Sequence, residues 1–231
     1  KGLFTSSIAG SRAGSVVAGL YASGVNVNEL EDIVYDLAKK KKKIIDPNYI
    51  GLIKAILEFC FCKTPSLSGI LKGVKWEKYI SERVQCVPIS KTKIPIVIPT
   101  VDVKSGKTVV YTSSLDHIKA VEGVIWDNNI NLCDAIRAST AVPSVFCPKT
   151  IGERCLVDGS VTDVLPVDLL MAAGEKNILA VDISTNYTMP KSNNLIDVTS
   201  HCFNIMGTRL RELTSSSEQF LLHPNLPQKA G

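Results

Sequence analysis

A short apolar strand enters a glycine-flanked turn at Ile8-Ala9-Gly10-Ser11-Arg12-Ala13-Gly14, and a helix of small residues leaves it and ends near Gly24. No other stretch restricts the fold as closely. Gly10 and Gly14 permit close backbone approach. The same strand-turn-helix shape is made by the pattern G-x-S-x-G, in which a serine sits on a strained turn with its hydroxyl clear of the backbone. Here Arg12 holds the central position. Ser11, one position early, points elsewhere on a tight turn and reads as a small residue that fits it. Ser15 reads as a first-turn helix residue.

The chain has 231 residues, of which 45% are hydrophobic, enough to bury a full core in one domain spanning 1–231. Its net charge of +4 is mild, and Lys39 to Lys43, a run of five lysines, carries much of it. That run reads first as a solvated helix end, where cations complement the dipole, and second as a contact for a phospholipid surface. No nucleic-acid-binding module accompanies the lysines, so nucleic acid is not an expected partner. Seven cysteines are scattered along the chain, an odd count that predicts reduced, small buried thiols. Cys60-Phe61-Cys62 lacks a second pair at zinc-binding spacing, so no metal site is expected. No secretory signal opens the sequence, and no apolar run reaches the ~18 residues that span a bilayer; the expected location is cytoplasmic.

The element order predicts an α/β fold. Val27 to Lys42 has helical periodicity with Asn28 as its N-cap. Tyr49 to Phe61 is strongly apolar and predicts a buried core helix, with an apolar cap over a lipid-accommodating cleft as the competing reading. Trp76 to Val84 predicts a helix, and Ile94–Val103 pairs with Thr108–Thr112 as a hairpin across Lys104-Ser-Gly-Lys107. Leu132 to Ala138 predicts a helix stopped near Pro143. Ile178–Ile183 reads as a central parallel strand, and Val198 to Ser217 as a long helix bearing Arg209 and Arg211.

Four blocks in this order resemble the patatin-like phospholipase family. They are Gly10-Ser-Arg-Ala-Gly14 through Gly24, the hairpin Thr100-Val-Asp-Val-Lys-Ser-Gly106, Ala135-Ile-Arg-Ala-Ser-Thr-Ala-Val-Pro-Ser-Val-Phe146, and Leu156-Val-Asp-Gly-Ser160 followed by Leu165-Pro-Val-Asp168. The resemblance implies a three-layer α/β/α sandwich with a mainly parallel central sheet. It also implies a phospholipase or esterase that cleaves acyl lipids through a Ser-Asp dyad, with no metal or organic cofactor. The family's aspartate falls on Asp158, in Asp158-Gly159-Ser160, where Ser160 replaces a usual glycine. Such a carboxylate serves as the base, so His117, His201 and His223, which lie outside all four blocks, are not needed.

Two departures stand against that pattern. The family nucleophile falls on Arg12, which has no lone pair to attack a carbonyl and stays protonated. In that position Arg12 is expected to form a bidentate pair with Asp158 and leave the chain inactive. The family's glycine-rich oxyanion loop is reduced to Lys1-Gly2, and only seven residues separate Gly2 from Gly10. That spacing predicts residues absent between about Phe4 and Ser7, and the ending is similarly abbreviated near 228–229. The alternative function is a non-catalytic protein of the same fold, binding lipid or another anion through Arg12 at a helix N-terminus. A dinucleotide site is weaker: the glycines follow G-x-x-x-G, and no acidic residue follows a second strand at the expected ~20 positions.

Overall fold

The computed structural model describes residues 5–64, 66–84, 86–183, 194–213 and 220–224. Lys1, Gly2, Phe4, positions 214–217 of the expected last helix, and the ending near 228–229 lie outside them.

Strand β1 (Ile8–Ala9) leads through the turn into helix α1 (Ala13–Ser23), which Gly24 ends at φ 97°. Helix α2 (Val27–Ile44) follows, and its cap is Asn26 rather than Asn28: the Asn26 side chain accepts from the Glu29 N–H. The carboxamide must sit three residues before the donor it satisfies, and Asn28 already lies inside the first turn. Helix α3 (Tyr49–Cys60) and helix α4 (Val74–Val84) complete the first half. Strands β2 (Ile96–Asp102), β3 (Lys107–Thr112) and β4 (Val124–Asp127) come next, then helix α5 (Leu132–Ser139). Strands β5 (Lys149–Ile151) and β6 (Arg154–Asp158), helix α6 (Val167–Ala172), strand β7 (Leu179–Val181), helix α7 (Leu195–Leu213) and strand β8 (Phe220–Leu222) end the order.

The main sheet runs β4-β3-β2-β6-β5, with β1 also on β2. It is mixed, not mainly parallel. β1 and β4 join as parallel strands, while β2–β3, β2–β6 and β5–β6 are antiparallel. Tight connections at 103–106 and 152–153 make hairpins, and hairpins force antiparallel pairing. β7 also departs from expectation. It pairs in parallel with β8 in a separate two-stranded sheet, so it is not a central strand among the described residues.

Alternation along the strands makes the layers. Ile96 and Ile98 of β2, Val109 and Tyr111 of β3 and Leu156 of β6 turn toward α1, α4 and α5 in one core. Val97 and Val110 turn the other way, against Leu169 of α6. The result is an α/β/α sandwich built on a mixed sheet. Trp76 of α4 donates its indole N–H to the Thr140 hydroxyl at 2.8 Å, fixing α4 against the end of α5.

Two further expectations are corrected. Cys86 and Cys133 are joined in a disulfide that ties the end of α4 to α5, while Cys60, Cys62 and Cys202 are exposed, so the thiols are not uniformly reduced and buried. The sequence brings Cys86 and Cys133 together only through tertiary packing, 47 residues apart. Helix α3 is formed as predicted but buries no residue. Its order comes from polar ties at its start: the Asn48 side chain accepts from Gly51 N–H at 3.2 Å and donates to the Gly69 carbonyl at 3.1 Å.

Candidate active site

Strand β2 organises the site. β3 occupies one of its edges, leaving the other for both β1 and β6. β1 runs parallel to β2 and ends with Ala9 opposite Val97; β6 runs antiparallel and ends with Asp158 opposite Thr100. The two strands therefore approach end to end along one edge, three residues apart on β2, about 10 Å at strand rise. The turn after β1 and the carboxylate that ends β6 meet in that interval.

The turn is sharp. Gly10 N–H donates to the Val97 carbonyl at 3.1 Å, the last bond of β1 to β2. Arg12 then adopts φ 50°, ψ −120°, in the left-handed half of conformational space, a strain on the order of 1–3 kcal/mol for a residue bearing a Cβ. α1 starts at once: Gly14 N–H bonds the Ser11 carbonyl at 2.9 Å, and Ser15 sends both its N–H and its hydroxyl to the Arg12 carbonyl, at 3.1 and 2.6 Å. A Cβ on Gly10 would strike the Gly14 carbonyl, so this position needs glycine. A Cβ on Gly14 would meet nothing, so only one of the two glycines is required by close approach.

Asp158 is fully buried. Its backbone N–H donates to the Ala141 carbonyl at 3.0 Å, fastening the end of β6 to the segment that follows α5. Its Oδ1 accepts from Ser160 N–H at 2.9 Å, and its Oδ2 accepts from Arg12 Nε at 2.7 Å. The Arg12–Asp158 pair is thus made, but through one hydrogen bond and not two. The other carboxylate oxygen takes its hydrogen bond from Ser160 N–H instead of from a second guanidinium nitrogen. Gly159 lies so close to β2 that a Cβ would run into the Pro99 carbonyl. The Ser11 hydroxyl is buried and has no hydrogen bond, to Asp158 or to any other described group. None of the hydrogen bonds to Asp158 or Arg12 comes from a histidine.

Two supports were hidden in the sequence. Asp102, in the second block, ties the hairpin: Ser105 donates its hydroxyl at 2.7 Å and Cys155 its N–H at 3.0 Å to the carboxylate. Burial raises the Asp102 pKa, but those donors and the Lys104 and Ser105 N–H groups outweigh it, leaving the carboxyl below its ordinary range. Arg137, in the third block, is buried and donates to the carbonyls of Gly73 at 3.1 Å, Lys72 at 2.9 Å and Cys147 at 3.0 Å. It clamps the Lys72–Gly73 segment and Cys147 beside α5. An apolar periodicity count sees neither role, because both residues are polar.

Downstream of Asp158, Asp163 is pushed up to about 6, first by burial and then by the neighbouring Asp168 carboxylate. Among the described residues no group of three or more His, Cys, Asp or Glu side chains is placed to hold a metal ion, and no helix is long and apolar enough to cross a membrane.

Comparison with known proteins agrees with the four blocks. A family model described as patatin-like phospholipase matches residues 1–171. An uncharacterized NTE family protein of Mycobacterium tuberculosis (strain ATCC 25618 / H37Rv) is 28% identical over 214 residues, covering 87% of this chain and 50% of that protein. A protein of the same description from Mycobacterium bovis shows the same identity and coverage. Lysophospholipase NTE1 of Mycosarcoma maydis is 23% identical over 193 residues, 83% of this chain and 9% of that one. The chain spans about half the length of the mycobacterial relatives it matches. With nearly three-quarters of its length under the family model and the paired elements in place, the chain belongs to the patatin-like phospholipase family.

Proposed function

We propose that this chain is a patatin-like lipid acyl hydrolase scaffold, one unit over its whole length, whose nucleophile position is occupied by Arg12 and whose base is Asp158. The observation that carries the reading is the single short contact between Arg12 Nε and Asp158 Oδ2, made across 146 residues at the meeting point of β1 and β6. A serine on this turn would present its hydroxyl to the same carboxylate oxygen. Asp158 would take the proton as the serine oxygen attacked the acyl carbonyl, then return it to the leaving alcohol; water would repeat the cycle on the acyl-enzyme. The Ala13 N–H, one of the donors left free by a helix start, lies next to that turn and supplies one oxyanion donor.

With Arg12 present the sequence of steps stops at its first stage. The guanidinium offers no lone pair, and it occupies the Asp158 oxygen that a hydroxyl would use. The substrate class is an ester of a phospholipid or related acyl lipid, in keeping with the family and with a relative named as a lysophospholipase. The anion-binding alternative loses support from the same contact, since the charge that would hold an anion is already offset by Asp158. Fatty-acid release from lysophosphatidylcholine, measured beside binding of a fluorescent fatty acid, separates the two. The hydrolase reading expects release only after Arg12→Ser. Tight fatty-acid binding lost in Arg12→Ser, with no release from either chain, supports the alternative.

A further inference from the structure

Helix α3 faces the wrong way for a globular protein. Its outward side carries Tyr49, Ile50, Ile53, Ile56, Leu57 and, just past its end, Phe61, from 53% exposed at Leu57 to 74% at Phe61. Its inner side holds Gly51, Leu52, Ala55 and Glu58, none fully buried. Glu58, the helix's one acid, turns back to accept from the Ser66 N–H and hydroxyl at 2.6 and 2.8 Å. The outward face therefore has no negative charge, and Lys54 stands at its margin, 3.6 Å from Glu58. Isolated exposed apolar side chains are ordinary; a whole helical face of them is not.

What lies beside that face decides what it fits. The lysine run Lys39–Lys43 forms the end of α2, and only four residues separate α2 from α3. Lys39 and Lys40 are exposed, Lys39 over the Tyr35 ring and Lys40 2.8 Å from Asp36 within the same helix. Apolar side chains next to clustered cations match the interfacial zone of an anionic bilayer, where rings and aliphatic groups sink below headgroups and lysines reach the phosphates. A second protein fits less well. Twelve residues of helix make a strip about 18 Å long and of order 200 Å², well short of the ~800 Å² per partner of a stable interface.

We propose that the outward face of α3, with Lys54 at its margin and Lys39 and Lys40 in the preceding helix, forms a docking surface for an anionic phospholipid bilayer, with α3 lying in the plane of the interface. The inference rests on the lipid-hydrolase reading only in taking a lipid surface as the natural neighbour, and it is tested without turnover. The 231-residue chain is sedimented with vesicles of phosphatidylcholine, with and without one-third phosphatidylserine. Binding is expected on the phosphatidylserine vesicles and is expected to fall as salt rises. Ile53→Glu/Ile56→Glu lowers the bound-to-free ratio roughly tenfold or more on both compositions. Lys39→Gln/Lys40→Gln lowers it roughly tenfold on phosphatidylserine vesicles and leaves phosphatidylcholine alone unchanged. Phe61→Trp, a surface change that spares the core, adds fluorescence that brominated lipids quench.

Absence of binding by the parent chain, equal binding by the folded Ile53→Glu/Ile56→Glu chain, or a Phe61→Trp signal untouched by brominated lipid overturns the proposal. So does a dimer in sedimentation velocity that Ile53→Glu dissolves, which would assign the face to a second copy. Vesicle binding by a chain that releases no fatty acid even as Arg12→Ser sinks the hydrolase reading and leaves this one standing; the reverse result does the opposite.

Discussion

Gly10 and Gly14 occupy equivalent places in the pattern, yet the backbone treats them differently. A methyl on Gly10 meets the Gly14 carbonyl, and neither side can withdraw because both are main chain. Gly10→Ala is therefore expected to lose about 1–3 kcal/mol in urea unfolding. Gly14→Ala, with open space around it in the first turn of α1, is expected to be neutral or to gain a few tenths of a kcal/mol. The sequence marks both positions as a turn, since glycine spacing is visible there. Which glycine is indispensable depends on the distance to a carbonyl that only the folded turn supplies. Arg12 and Asp158 were legible as partners because two motifs named them. That the contact is single was not legible, since it depends on how the folded turn sets the guanidinium against the carboxylate.

Helices show where periodicity informs and where it misleads. α2 was readable from apolar spacing and α1 from the glycine turn before it; α1 and α5 pack on the sheet, while α4 packs on α1 and α5. α3 was readable as a helix and misread as core, because an apolar face is equally apolar whether protein or another medium covers it. β7 was misplaced for a related reason: a continuous apolar run fits any covered strand, and pairing partners are not written in it. Capping is local and more readable to within a residue or two. Asn26→Ala is expected to cost about 1 kcal/mol in thermal or urea unfolding, while Asn28→Ala is expected to change little. Arg137 carries a larger share at this scale. Arg137→Ala strands the carbonyls of Gly73, Lys72 and Cys147 inside the protein, and a loss of about 3 kcal/mol is expected. Its effect on the loops beside α5 should appear as faster amide exchange at Leu71 and Cys147, both in backbone bonds there.

Across the whole molecule, β2 holds β1 and β6 on one edge, and the site exists because those two strands end within reach of each other. Family order of the blocks made the fold class readable. Sheet polarity was readable only at the β2–β3 hairpin; the second hairpin, β5–β6, and the antiparallel joining of β6 to β2 were not. Electrostatics also acts at this scale. The carboxyl of Asp163, pushed up to about 6 from 3.8 by burial and by Asp168, binds its proton more tightly folded than unfolded. Its contribution is favourable below about pH 4 and is lost as pH rises through about 6. Asp163→Asn should therefore raise the melting temperature at pH 7.5 relative to the parent, by on the order of 1–2 kcal/mol of stability, and bring no gain at pH 4. An equal gain at both pH values would show that the titration is not the cause.

The proposed silencing of an ester-hydrolase scaffold by Arg12, standing in the nucleophile's place against Asp158, is open to measurement. It is tested most directly by p-nitrophenyl butyrate hydrolysis by the parent chain, Arg12→Ser, and Arg12→Ser/Asp158→Asn, each with its unfolding curve. The parent is expected to match buffer, Arg12→Ser to turn over, and the double variant to fall about 10²–10⁴-fold below Arg12→Ser. A parent chain that hydrolyses the ester at ordinary enzyme rates, or an Arg12→Ser chain that folds like the parent and releases no nitrophenol, would contradict it.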